Sequence, residues 1–187
     1  ETGLKDAALP TEFKAIGSVA RVTRGDVAAL LAHRMPALLQ AAARGTVLIT
    51  DGRRHWAQQA ILLTARAGAM EVYPNHTFQP GSSMSRGEFA SMVNRVLTLV
   101  AARAPQLASA WQDARLSFGD VRPGHALAVP ISRAVASGVL QPLEGQTFGT
   151  SQPMTGQEAI TAVDRLAAIA QGAGLGPAVG ASIGAPR

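Results

Sequence analysis

Apolar residues after Ser85 fall at Phe89, Met92, Val93, Val96 and Leu97, the spacing of one face of an α-helix turned toward a core. The helix start is marked as well. Ser85 can accept a bond from a free backbone N–H, and Glu88, three residues on, can return it, the reciprocal arrangement of a capping box. Thr155 with Glu158, and Thr23 with Asp26, repeat that box elsewhere in the chain. An earlier helix is predicted from about His55 to Ala67, ending at Gly68, whose missing Cβ lets the backbone turn left-handed past a helix end. Gly138 repeats that stop. Between the two helices lie roughly 15 residues of loop, long for a compact domain. Within it, Tyr73 to Gly81 is turn chemistry around one aromatic anchor, Phe78, with Phe148 as its counterpart.

These signals recur because the chain repeats. At an offset of 70 residues, and without a gap, His55, Ile61, Gly68, Thr77, Phe78, Met84, Glu88, Val93 and Arg95 meet His125, Ile131, Gly138, Thr147, Phe148, Met154, Glu158, Val163 and Arg165. Asp51 and Asp120 precede the two copies. A third, partial copy stands in front, where Val22 to Leu30 matches Met84 to Met92 and only the second helix is recognisable. Pro36 should bend or end that front helix after Arg34. The chain thus divides into a partial unit at 1–44, full units at 45–104 and 105–171, and a Gly/Ala/Pro tail at 172–187 that reads as a flexible linker. Each second helix has an apolar face with no cover inside its own short unit, so neighbouring units must supply it. An all-α fold follows, with the three second helices about a pseudo-threefold axis.

Composition narrows the chemistry. The 187 residues are 47% hydrophobic but only 4% aromatic, which predicts a core of small aliphatic side chains on close-packed helices. The net charge of +5 is carried almost entirely by arginine, with Lys5 and Lys14 the only lysines, which favours an anionic partner. Cysteine is absent, excluding disulfides and thiolate sites. No apolar run approaches the roughly 18 residues of a membrane span, and no signal-peptide apolar core opens the chain, so an exported parent would contain it as a fragment. Nucleophile elbows, His-Glu-x-x-His, phosphate-binding glycine loops and paired carboxylates are all missing, which argues against an enzyme or a bound cofactor. His33 and His76 lack partners at metal-ligand spacing, and His55 with His125 reads as a hydrogen-bonding pair of equivalents. Arg24 to Leu31 has the look of a helix-turn-helix start, but no dense basic stripe accompanies it, so a nucleic-acid partner is disfavoured.

The pattern Asp51, His55-Trp56-Ala57, Ile61, Gly68, Phe78-Gln79-Pro80 and Ser85-Arg86-Gly87-Glu88-Phe89 resembles one S-layer homology repeat from end to end. That resemblance spans about Val22 to Ala170. It implies three repeats in a pseudo-threefold bundle, grooves between neighbours, and attachment of an exported protein to an acidic, peptidoglycan-linked wall polysaccharide, often one bearing pyruvate ketals, in an extracytoplasmic cell envelope. The residues it points to are Thr23, Arg24 and Asp26 in the first unit, and Asp51, Trp56, Gly68, Ser85, Arg86 and Glu88 in the second. In the third, Asp120, Gly138, Thr155 and Glu158 keep the framework, while Ala126 and Gly156 replace the tryptophan and the arginine.

Elementary physics gives such a site a rationale. An arginine one residue inside a helix start opposes the positive end of the helix dipole unless an anion lies nearby. Arg24 and Arg86, combined with free backbone N–H groups, would then form a carboxylate cradle, and Trp56 could stack on a sugar ring. Removing such a guanidinium should weaken binding and spare the fold. Each residue also has a plainer role: Ser85 with Glu88 as a helix cap, the arginines as solvated surface, Trp56 as packing between units. The rival function is a protein-interaction or self-assembly scaffold of an envelope protein, and the degenerate third unit favours it.

Overall fold

The computed structural model describes residues 9–174 and contains, among them, eight α-helices and no strand longer than an isolated bridge. The 172–187 tail therefore lies almost entirely outside the described residues. In chain order the helices are α1 (Thr11–Ala15), α2 (Arg24–Arg34), α3 (Pro36–Ala42), α4 (Gln58–Arg66), α5 (Arg86–Ala101), α6 (Pro105–Ala108), α7 (Ala128–Ala136) and α8 (Gly156–Gly172). The all-α reading holds. Pro36 ends α2 and opens α3 as its first residue, where a missing N–H costs nothing. Gly68 and Gly138 take φ of +74° and +78° and stop α4 and α7. The backbone N–H of Ala69 reaches Thr64 O across Gly68, and Leu140 reaches Ala134 O across Gly138. Helix α4 starts three residues later than the pattern suggested. The His55 ring is the reason: its Nδ1 accepts the Ala57 N–H, holding Trp56 in a turn outside the helix, and His125 does the same for Leu127.

All three capping boxes form: Thr23 with Asp26, Ser85 with Glu88 and Thr155 with Glu158. The residue before each cap is buried and joins a closed ring of backbone bonds. Val22 N donates to Met154 O at 2.8 Å, Met154 N to Met84 O at 3.0 Å, and Met84 N to Val22 O at 2.9 Å. Each of the three positions thus donates once and accepts once, which is the signature of a pseudo-threefold axis. Around it, α2, α5 and α8 bring their apolar faces inward, with Val27, Leu30, Leu31, Phe89, Val93, Val96, Val163 and Leu166 buried. The outer layer is offset by one unit. Helix α2 packs on α4, α5 on α7, and α8 on the turn Ile16–Ser18 near the front of the chain.

That last contact explains the first unit, whose beginning the sequence pattern does not show. Ile16 lies seven residues before its cap Thr23, as Phe78 does before Ser85 and Phe148 before Thr155. All three are buried. A short helix and a single turn thus do at the front what a full helix and loop do elsewhere, with an aliphatic anchor in place of an aromatic one.

Gly156 is where the ring closes most tightly. Its N–H donates to Val19 O at 2.9 Å, and a Cβ there would collide with the Ile16 carbonyl oxygen. The obstacle is backbone on both sides, so relief requires the front turn to move away from α8. Replacing Gly156 by Ala is therefore expected to destabilise the protein by about 3 kcal/mol. A thermal melt should show a Tm lower by roughly 10 °C, whereas an unchanged Tm would show that the front turn does not seat against α8.

Candidate functional site

Arg24 and Arg86 begin α2 and α5, and the structure overturns the plainer of their two readings, that of solvated surface residues. Their exposures are 6% and 5%. Each guanidinium crosses into the loop of the following unit. Arg24 Nε donates to Phe78 O at 2.7 Å and Nη2 to Glu71 O at 2.6 Å. Arg86 makes the equivalent pair, Nε to Phe148 O at 2.8 Å and Nη2 to Gln141 O at 2.7 Å. The anchor rings lie beneath: Arg24 Cζ stands 4.7 Å from the Phe78 centroid and 4.9 Å from that of Tyr73, and Arg86 Cζ stands 4.9 Å from Phe148. Carbonyl dipoles and π-faces thus meet the positive charge that the helix dipole opposes.

The free N–H cradle is corrected too. At α2, Arg24 N donates to Ser82 O, Gly25 N to Pro80 O and Asp26 N to the Thr23 hydroxyl. At α5, Arg86 N donates to Gln152 O, Gly87 N to Thr150 O and Glu88 N to the Ser85 hydroxyl. The first two amides of each helix go to the neighbouring unit and the third to the helix's own cap, so none in these positions is left for a carboxylate. Gly25 also lets the His55 ring approach, since a Cβ there would stand 2.5 Å from its Cε1.

Asp51 and Asp120 hold the same loops from the other side. Asp51 accepts from Phe78 N at 2.8 Å and Gln79 N at 2.7 Å, and Asp120 from Phe148 N and Gly149 N, both at 2.7 Å. The aromatic anchor is therefore gripped twice, its N–H by an aspartate of its own unit and its C=O by an arginine of the preceding one. The Phe148 N–H foremost holds the Asp120 carboxyl below the usual aspartate range, with burial opposing it and the Gly149 N–H adding to it. Since that folded pKa is depressed, the stabilisation is present above the ordinary aspartate pKa and is lost as acid protonates the folded form. Burial pulls the Arg86 guanidinium down, while Glu158 and then Asp120 oppose it. Glu158 Oε1 lies 3.6 Å from Arg86 Nη1.

Two equivalent grooves open beside these clamps. The first, about 180 Å³, is lined by Arg24, Glu71, Tyr73, Glu88, Ser91 and Arg95 among others. The second, about 260 Å³, is lined by Arg86, Gln141, Leu143, Glu158, Thr161 and Arg165. Both combine residues of adjoining units, so the third unit, read from sequence as the weakest, walls the second groove through Glu158. Of the expected residues, Arg24 meets Glu88 in one groove and Arg86 meets Glu158 in the other. Thr23, Asp26, Ser85 and Thr155 serve as caps, Gly68 and Gly138 as turns, and Asp51 and Asp120 as loop latches. Trp56 is elsewhere. It lines an apolar cavity of about 540 Å³ with Phe13, His33 and Leu63. The groove residues Glu71, Arg95, Gln141 and Arg165 were not singled out from sequence, although Arg95 and Arg165 coincide at the 70-residue offset, which was the signal available.

At the third junction the arginine position is Gly156, and the Ile16 carbonyl stands where that arginine's Cβ would be. The junction is filled by backbone rather than left as an empty groove. The clamps are structural parts of the fold. Arg86→Ala removes two charge-assisted bonds and orphans two loop carbonyls, so it should cost about 3 kcal/mol, or roughly 10 °C in Tm. Arg95→Ala, at a half-exposed pair, should cost well under about 1 kcal/mol. Equal melts for the two variants would show that Arg86 is not a clamp.

Comparison with known families bears on what these grooves serve. Residues 48–90 and 117–160 each match the model of the S-layer homology domain. Those two segments carry the loop latches, the aromatic anchors and the starts of α5 and α8, whereas α2 lies outside the matched residues. S-layer homology domains generally anchor proteins to the cell wall and are not catalytic. No characterised protein matches the chain significantly. No helix among the described residues is long and apolar enough to cross a membrane.

Proposed function

We propose that this chain is a non-catalytic anchoring module that holds an exported protein to the cell envelope by binding an acidic, peptidoglycan-linked wall polysaccharide in the grooves between its units. The observation that carries this reading is the recurrence of one groove. Two separate segments match a wall-binding family, and each contributes the same wall, loop and helix face beside a guanidinium. The repeat and its clamps give both clefts their form, and the guanidinium beside each, Arg95 or Arg165, is a side chain that the clamp does not use. Arginine forks and carboxylates side by side suit a sugar that presents both hydroxyls and an acid group. The front unit, with α2 and its Arg24 clamp, is proposed as the third, shortened member of the set, because it fills the third place in the backbone ring.

A second reading has an observation of its own. The motif arginines are spent within the fold, and Trp56 faces an apolar cavity rather than a groove, so the bundle could serve as a protein-binding scaffold of the envelope. Sedimentation with purified cell-wall sacculi separates the two. The anchoring reading predicts that the protein pellets with intact sacculi and stays in solution once the acidic polymer has been removed by mild acid. Pelleting that is indifferent to the polymer would favour the scaffold.

A further inference from the structure

The two grooves are equivalent in backbone but not in charge. In the first, Arg95 Nη2 donates to Glu71 Oε2 at 2.8 Å, and Glu71 also supplies, through its backbone carbonyl, an acceptor for Arg24. Two carboxylates, Glu71 and Glu88, therefore face two guanidiniums, Arg24 and Arg95. In the second groove the residue equivalent to Glu71 is Gln141. Its backbone carbonyl still serves the clamp, accepting from Arg86, but its side chain carries no charge. Glu158 lies within 4 Å of Arg86. Arg165, the counterpart of Arg95, is exposed and has among the described residues only a long bond to Val139 O at 3.4 Å, with no carboxylate in ion-pair range. One carboxylate there faces two guanidiniums.

We infer that the two grooves divide the work by charge: the groove between the second and third units takes the acid group of the ligand on Arg165, while the Glu71–Arg95 pair shuts the first groove to anions. This inference rests on the wall-binding reading for its natural ligand, but not for its test. An incoming carboxylate at the first groove must displace Glu71 from Arg95 and then sit beside it. At the second groove it meets an unpaired fork, with the side-chain amide of Gln141 and the hydroxyl of Thr161 in the same wall. The larger volume of the second groove, about 260 Å³ against 180 Å³, points the same way. Arg165 is thus the specificity residue of the open groove and Glu71 the one of the closed groove. Neither side chain holds the fold, since Glu71 serves the Arg24 clamp through its backbone.

The test is an NMR titration of backbone amides in the whole chain with glucuronate as the acidic sugar and glucose as the neutral one. For the unaltered protein, glucuronate should shift amides around Gln141, Thr161 and Arg165 and leave those around Met70 and Ser91 in place. Arg165→Gln should weaken that binding about tenfold. Glu71→Gln should add a second set of shifts, around Met70, Ser91 and Arg95, that the unaltered protein lacks. Shifts at both grooves alike, at the first groove only, at neither groove, or equal shifts with glucose would overturn the division. So would a Glu71→Gln protein with no new site. Sacculus sedimentation judges the other claim separately: pelleting without a charge-divided titration leaves wall binding standing and removes this inference, and a divided titration without pelleting does the reverse.

Discussion

Three backbone hydrogen bonds, passed head to tail among Val22, Met154 and Met84, govern the rest of this molecule. Each belongs to the residue just before a helix cap, so the ring fixes where α2, α5 and α8 begin and how they are turned about a common axis. With the starts fixed, the apolar faces of those helices meet one another, and the outer helices follow, each against the neighbouring unit's second helix. No unit contains the partner of its own apolar face. Burial of that face is the main favourable contribution to folding, and here it is realised only when all three places are filled. The front unit can therefore be short, with one turn and Ile16 in place of a helix, a loop and a phenylalanine, provided that the third place in the ring is occupied.

The arginine clamps solve a problem that the ring creates. Bringing three helix N-termini close to an axis gathers positive dipole ends and unpaired N–H groups. The following unit's loop supplies carbonyls for those N–H groups, and an arginine in the first helical position would then seem to worsen the electrostatics. It does not, because its guanidinium passes beyond the helix end to two further carbonyls and the face of a buried ring. The result is a loop held by an aspartate from its own unit and an arginine from the one before, which makes the junctions stiff and leaves shaped clefts beside them. A groove of this kind owes its form to the fold's own needs, and its ligand preference to the few side chains that the clamp does not use, Glu71, Gln141, Arg95 and Arg165.

Local signals were readable from the sequence because they are set by nearby residues. The capping boxes at Thr23, Ser85 and Thr155, the stops at Gly68 and Gly138, and the break at Pro36 each depend on a few neighbours and stand where the pattern places them. The roles of Arg24 and Arg86 were not legible in the same way. Their partners lie 47 to 62 residues away in sequence, and a backbone carbonyl leaves no mark in the residue that supplies it. The composition of a helix start says that an arginine there wants negative potential, but not whether a ligand or the next loop provides it. Ile16 was missed for a related reason, since its equivalence to Phe78 rests on distance from a cap and not on residue type. The resemblance puts Trp56 beside the arginines, and the turn before α4 directs it instead toward α1 and α2.

If the ring is the constraint on which the fold depends, its three amides must open together. Native-state hydrogen exchange at Val22, Met84 and Met154 measures this directly, because each amide reports the free energy of the cheapest opening that exposes it. The account predicts one common value for all three, equal to that of global unfolding and sensitive to denaturant with the full slope. A distinctly lower value at any one of them, with shallow denaturant dependence, would mean that the ring opens locally while the units stay folded, and would contradict it.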